Sequence, residues 1–210
     1  MIGREWFQMV VDGIWYGIGL TAAGLLMSYI VGIGYGIPLF ILAAFCMYFF
    51  RDPDRPVPQG PVAVSPADGK VVLIQDVDPG YKRISIFLNI FDVHVNRSPV
   101  SGTIQEVEYH KGQFLVASKE AASSDNERNT LVVQTPEGFE VSFSQIAGLI
   151  ARRIVCWKKA GDPVLTGERI GLIKFGSRVD VVFGPEWEIV VETGKRVSAG
   201  SSVLARLRQS

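Results

Sequence analysis

The sequence predicts a mostly β, α+β protein in which a β-barrel or sandwich-like domain follows an N-terminal hydrophobic helical hairpin. Three observations lead there. Residues 13–50 contain no charged side chain, residues 52–66 carry five prolines, and from Lys70 onward short β-branched runs recur between turn residues. The boundaries follow from these shifts: a hairpin over 1–51, a proline-rich linker over 52–66 and a β domain over 67–210.

The uncharged run is too long for a secretory apolar core and lacks a small-residue cleavage site with a basic leader, so it reads as a membrane segment. Gly32-Ile33-Gly34-Tyr35-Gly36-Ile37-Pro38 divides it into 14–31 and 37–50. The first part is long enough to span as a helix and the second is short, which favours a tilted pair or a re-entrant hairpin over two full spans. Arg4 precedes the entry, and Arg51 and Arg55 flank the exit, so the positive-inside tendency puts both ends on the cytoplasmic side of a cell membrane. Prolines lack a backbone donor and hold extended conformations, which makes 52–66 a spacer.

Beyond it, strands are predicted at 70–77, 83–90, 102–109, 130–135, 139–146, 169–173, 178–183 and 187–191. Such spacing suits a barrel or sandwich. Asp68-Gly69 and Pro136-Glu137-Gly138 read as hairpin-type turns, and 161–167 as a turn, a short apolar step and a second turn. Outside the N-terminal hairpin, helical character is expected only around 113–123.

Lys plus Arg and Asp plus Glu both number 21, and the isoelectric point is about 6.7, which removes the electrostatic case for nucleic-acid binding. Cys46 and Cys156 form neither a metal-ligand spacing nor a disulfide framework. His94 and His110, the two histidines, fit no two-histidine metal motif. No metal site is expected.

Chemistry enters at Phe175-Gly176-Ser177-Arg178-Val179-Asp180. Glycine leaves its carbonyl unshielded and tolerates strained dihedrals. The Ser177 hydroxyl is therefore placed to attack the Gly176 carbonyl and turn the peptide bond into an ester. Elimination across the serine Cα–Cβ bond then releases a chain ending at Gly176 and leaves dehydroalanine, which hydrolyses to a pyruvoyl group. A Gly-Ser pair alone is more often an ordinary turn.

Three further blocks add to it: Phe50-Arg51-Asp52-Pro53-Asp54-Arg55-Pro56 running into Ser65-Pro66-Ala67-Asp68-Gly69-Lys70-Val71, then Phe91-Asp92-Val93-His94-Val95-Asn96-Arg97-Ser98-Pro99, and Ile150-Ala151-Arg152-Arg153-Ile154-Val155. In this order, from about Phe50 to Val182, the chain resembles phosphatidylserine decarboxylases of the short, membrane-associated type. The resemblance implies a proenzyme cut between Gly176 and Ser177, with a covalent pyruvoyl cofactor derived from Ser177. That group would form a Schiff base with phosphatidylserine and yield phosphatidylethanolamine and carbon dioxide. The long bacterial enzymes read Leu-Gly-Ser-Thr at the cut, where this chain reads Phe-Gly-Ser-Arg, a departure that spares the scissile pair.

The same resemblance gives His94, in its Asp-x-His setting, a part in decarboxylation as proton donor or as a guide for the substrate carboxylate. If 92–94 were a strand, Asp92 and His94 would share a face, and the carboxylate could orient the imidazole. Asp68 matches the aspartate that assists cleavage. The long enzymes carry a second histidine where this chain has Arg97, which holds its proton at neutral pH. Either His94 serves both steps or His110 supplies the cleavage base, and His94 is favoured.

Arg152, Arg153, Lys158 and Lys159 around Trp157 suit a phosphodiester at a membrane surface as well as they suit a solvated strand. Asn126-Glu127-Arg128-Asn129 also resembles a family block, with no chemistry assigned. The partners implied are the membrane, its phospholipid substrate and the two cleavage chains, with homo-oligomerisation left open. The rival readings are a non-enzymatic, membrane-anchored biotinyl- or lipoyl-like β domain, a self-cleaving hydrolase with Ser177 intact, and a decarboxylase of another phosphoserine lipid.

Overall fold

A computed structural model describes residues 3–113, 126–148, 153–174 and 177–208. The chain divides into two compact units, Met1–Pro53 and Asp54–Ser210.

The first unit pairs α1 (Gly3–Ile30) with α2 (Ile33–Phe49). The break lies at Gly32, whose φ of 127° is open to glycine and closed to most other residues. The second helix therefore starts at Ile33, earlier than the sequence suggests, with Pro38 inside it. So close to a helix start, a proline forfeits a single intrahelical bond, and the carbonyl its ring crowds belongs to the small Gly34. Glycine also sets the approach of the two helices, since a Cβ on Gly36 would lie 1.9 Å from Ser28 Oγ and 2.5 Å from the Gly24 carbonyl. Outward, the pair exposes Trp15, Leu25, Tyr29 and Ile41. Asp12–Ile30 is long and apolar enough to cross a bilayer. With 17 residues, α2 reaches only about 26 Å against a hydrocarbon core of about 30 Å.

The second unit is mostly β. Its strands are β1 (Val62–Val64), β2 (Gly69–Asp78), β3 (Tyr81–Leu88), β4 (Val95–Arg97), β5 (Gly102–His110), β6 (Arg128–Gln134) and β7 (Glu140–Ile146). There follow β8 (Arg153–Cys156), β9 (Pro163–Val164), β10 (Arg169–Lys174), β11 (Ser177–Phe183), β12 (Trp187–Ile189), β13 (Arg196–Val197) and β14 (Val203–Leu207). A curled eight-stranded sheet runs β13-β2-β3-β11-β7-β6-β5-β9, beside three-stranded sheets β1-β14-β12 and β4-β10-β8. All eight expected runs lie on strands. The additional ones are mostly two to four residues long, too short to carry a period-2 signal.

Alternation decides the core. Leu131, Phe143 and Val181 lie in register across β6, β7 and β11, as do Val133, Val141 and Phe183, and all six are buried. One step along this face the pattern turns polar, with Asn129 opposite Gln145 and Ser177 next after Val179, all three buried.

Two expectations change. Asp68-Gly69 is not a hairpin turn: Gly69 opens β2 against Val197, and its φ of 150° comes with a backbone so close that a Cβ would lie 2.2 Å from the Phe87 carbonyl. Nor is the proline-rich stretch bare, as Arg55 bonds Asp68 and Val57 lies against Gly167. The helix expected around 113–123 falls outside the described residues except at Gln113, which bridges Asn126.

Candidate active site

Antiparallel pairing gathers particular strand ends. The start of β2, the end of β3, the start of β11, the end of β7 and the start of β6 all fall at one end of the large sheet, through Lys70↔Phe87, Ser177↔Leu88, Arg178↔Ile146 and Arg128↔Ile146. Asp68 precedes β2, the segment bearing Asp92 and His94 follows β3, and Ser177 opens β11. Candidates from three distant stretches of the sequence thereby come to one end of the sheet.

Ser177 is fully buried, and its Oγ has no hydrogen-bond partner among the described residues. Buried hydroxyls are seldom left so. Gly176, the other half of the expected cut, lies outside the described residues, as do Phe175, Ala151 and Arg152. His94 is also fully buried, and its carbonyl accepts from Ile173 N (3.2 Å), on the strand that leads toward the cut. Its Nδ1 lies 2.9 Å from the Asp92 carbonyl oxygen. Because a carbonyl only accepts, Nδ1 carries the proton, which in a neutral imidazole puts the lone pair on Nε2.

That contact corrects the expected role of the Asp92 carboxylate. Residues 92–94 precede β4 and are not a strand. Asp92 Oδ2 accepts from Asn89 N (2.9 Å) and Oδ1 pairs with Arg196, so the main-chain oxygen of Asp92 is what holds the imidazole. Asp68 is engaged elsewhere too: Oδ2 pairs with Arg55 Nη2 (2.7 Å) and Oδ1 accepts from Ala199 N (2.7 Å). Burial pushes the Asp68 carboxyl above its ordinary value, the Ala199 amide and Arg55 pull it back, and neighbouring Asp92 adds to the rise. The folded domain therefore binds a proton here at a pH where the unfolded chain has lost it. This favours folding below the ordinary carboxylate value and fades as pH rises through the folded one.

The phosphatidylserine decarboxylase family profile matches residues 42–205. The chain belongs to that family. It is 61% identical over 199 residues to a phosphatidylserine decarboxylase proenzyme of Solibacter usitatus, covering 95% of this chain and 97% of that one. With the protein of the same name from Burkholderia cenocepacia it shares 46% over 202 residues, 93% of this chain and 94% of the other. A decarboxylase made as a precursor is thus what its relatives are named for.

Arg97, the position at which the resemblance implied a second histidine in the long enzymes, is buried. Its Nη1 donates to the Gly167 carbonyl (3.1 Å) and its Cδ packs against Gly200, on the strand face opposite Asn96. His110 ends β5, which β7 and β6 separate from β11, roughly 14 Å at the usual strand spacing. Its ring is half-buried beside Glu108 Oε1 (2.9 Å). Of the two histidines, His94 is the one on the segment that follows β3, the strand whose Leu88 pairs with Ser177.

Arg178, the departure beside the cut, points to the other face of β11. There it is buried, with Nε 2.6 Å from Asp180 Oδ1, and it also bonds Ser85 Oγ. The pair with Asp180 lies within β11, where removing one buried partner costs about 3–5 kcal/mol, and the bond to Ser85 ties β11 to β3. The expected basic cluster divides: Lys158 pairs with Glu168 Oε1 (2.6 Å), while Arg153 and Lys159 are exposed. Burial pushes the Cys156 thiol up, which disqualifies it as a nucleophile.

Sequence reasoning missed Arg55 as the partner of Asp68, and it missed Gln145 and Asn96, whose side chains bond each other (2.9 Å), Gln145 being in register with Val179 on the strand that Ser177 opens. A signal did exist for Gln145. It occupies an inward position of a strand whose other inward residues are apolar.

Proposed function

We propose that this chain is a membrane-bound phosphatidylserine decarboxylase that cuts itself between Gly176 and Ser177 and converts phosphatidylserine to phosphatidylethanolamine and carbon dioxide. One observation carries the reading. In a chain of this family, the serine of the Gly-Ser pair is fully buried with an unengaged hydroxyl, at the strand end where the His94 segment also arrives.

For the cut, Ser177 Oγ gives its proton to a base and attacks the Gly176 carbonyl carbon, and the C–N bond breaks as the base passes that proton to the Ser177 nitrogen, leaving an ester and a free amine. His94 Nε2, basic because Nδ1 is held by the Asp92 carbonyl, is the base. Asp68, with Asp92, supports the histidine segment rather than touching the reacting atoms, and Arg55 keeps it fixed. Loss of the Ser177 Cα proton then expels the carboxylate of Gly176, and water replaces the nitrogen of the resulting dehydroalanine as ammonia. The site fits the carbonyl group so formed, since it closes off solvent and offers an unengaged amide donor on Asn96. When bound, that group supplies an electron sink for the pair released as carbon dioxide leaves. His94 then returns a proton to the substrate carbon.

The anchor reading is supported by the exposed apolar side chains of α1 and α2, and Arg51 at the exit favours a cytoplasmic β unit by the positive-inside tendency. Full-length protein mixed with phosphatidylserine vesicles is expected to release carbon dioxide and to form an ethanolamine lipid in equal amounts. Release of free serine with no carbon dioxide would replace the reading with a lipid hydrolase.

A further inference from the structure

The block Asn126-Glu127-Arg128-Asn129 has no part in the chemistry above, yet it starts a buried chain of amides that ends at the site. Asn126 Nδ2 donates to the Ala147 carbonyl (2.7 Å) and Ala147 N to the Glu127 carbonyl (2.9 Å), which locks the start of β6 to the end of β7. Asn129 Nδ2 then donates to Gln145 Oε1 (3.0 Å), and Gln145 Nε2 donates to Asn96 Oδ1 (2.9 Å). All three amides are buried.

The polarity of this relay is set at its far end. Cys156 Sγ spends its proton on the Lys158 carbonyl (3.3 Å) and is itself hydrogen-bonded by the Asn129 side chain, so Asn129 must present its N–H groups there. Gln145 follows, and Asn96 is left facing onward with its nitrogen. Asn96 Nδ2 is fully buried and has no partner. Buried donors are rarely orphaned in folded proteins. Its neighbours point to what would occupy it. Asn96 lies on β4 two residues after His94, and Gln145, which holds it, pairs across the ladder with Val179, beyond which the next residue on that face is Ser177, whose Oγ is likewise without a partner among the described residues.

Resting on the reading that Ser177 becomes a carbonyl group, we propose that Asn96 Nδ2 is the hydrogen-bond donor to the oxygen of that group, with Gln145 and Asn129 as positioning residues. When the substrate amine attacks, its nitrogen bonds to the carbonyl carbon and the C=O π pair moves to oxygen, which later leaves as water. Asn96 holds the charge while it is on oxygen, the role of a donor preorganised in a dry site.

Asn96→Leu and Gln145→Glu test this in the full chain. In Gln145→Glu the introduced carboxylate keeps the bond from Asn129 but can no longer donate, so Asn96 turns its nitrogen toward that carboxylate and its oxygen toward position 177. Both variants are expected to cut themselves fully. Trapping of the carbonyl by hydroxylamine, followed as mass gain of the small chain, should slow by about 10²-fold in each. The isotope-edited infrared band of the ketone should move to higher frequency as its hydrogen bond is lost. A change of packing alone would not move that band in Gln145→Glu, where Asn96 remains. Wild-type trapping and an unmoved band in either variant would overturn the proposal, and so would accumulation of Asn96→Leu as precursor, which assigns the residue to cleavage. Failure of the underlying reading looks different, because the wild-type protein would then show no ketone band.

Discussion

Replacing Ser177 with Ala should leave one uncut polypeptide with no decarboxylation above background. The two losses are linked, because the hydroxyl that attacks Gly176 belongs to the residue whose Cα and Cβ become the carbonyl group. The substitution costs the fold little, as Ser177 Oγ has no hydrogen bond to lose and alanine suits an inward strand position. Expression and thermal unfolding should therefore match wild type, and a gel under denaturing conditions should show only the full-length band. Cleaved and active Ser177→Ala protein would require another nucleophile. Cys156 is poorly suited to that, with its thiol raised by burial and hydrogen-bonded to Lys158.

His94→Ala should accumulate as precursor, whereas His110→Ala should mature normally. The contrast follows from where the rings lie: His94 is fully buried at the strand ends that flank the cut, with its basic nitrogen set by the Asp92 carbonyl, and His110 is a half-buried partner of Glu108 beyond two intervening strands. General acid–base groups contribute about 10²–10⁴-fold, so slow residual cleavage over hours fits the role and rapid cleavage does not. The time course of small-chain appearance in both variants reads this out. Prompt maturation of His94→Ala with loss of turnover would confine His94 to decarboxylation and free another group to be the cleavage base.

The long strands were legible because their apolar residues alternate against a buried sheet face, as in Leu131 and Val133 or Val179, Val181 and Phe183. Short strands such as β4 and β13 were not, since two or three residues hold no period and are fixed by their partners on β10 and β2. The same limit misled the reading of Asp92. Alternation holds only inside a strand, and the segment before β4 turns the carboxylate to Arg196 while offering a main-chain oxygen to His94. Ser177, His94 and Asp68 stood out through residue identity in ordered blocks, and the sheet register then brought them to one end. Arg55 stayed hidden inside a proline-rich run read as a spacer, although its guanidinium lies 2.7 Å from Asp68. Asn96 and Gln145 stayed hidden because an amide in a strand acquires meaning only when its cross-sheet partner is known.

Intact mass under denaturing conditions, taken on a preparation that releases carbon dioxide from phosphatidylserine, tests the central claim most directly. The account predicts two chains, a large one with a free carboxylate at Gly176 and a small one beginning at residue 177 with a pyruvoyl group in place of the serine amine. A single full-length chain in the active preparation, or a small chain that begins with an unmodified serine, would contradict it.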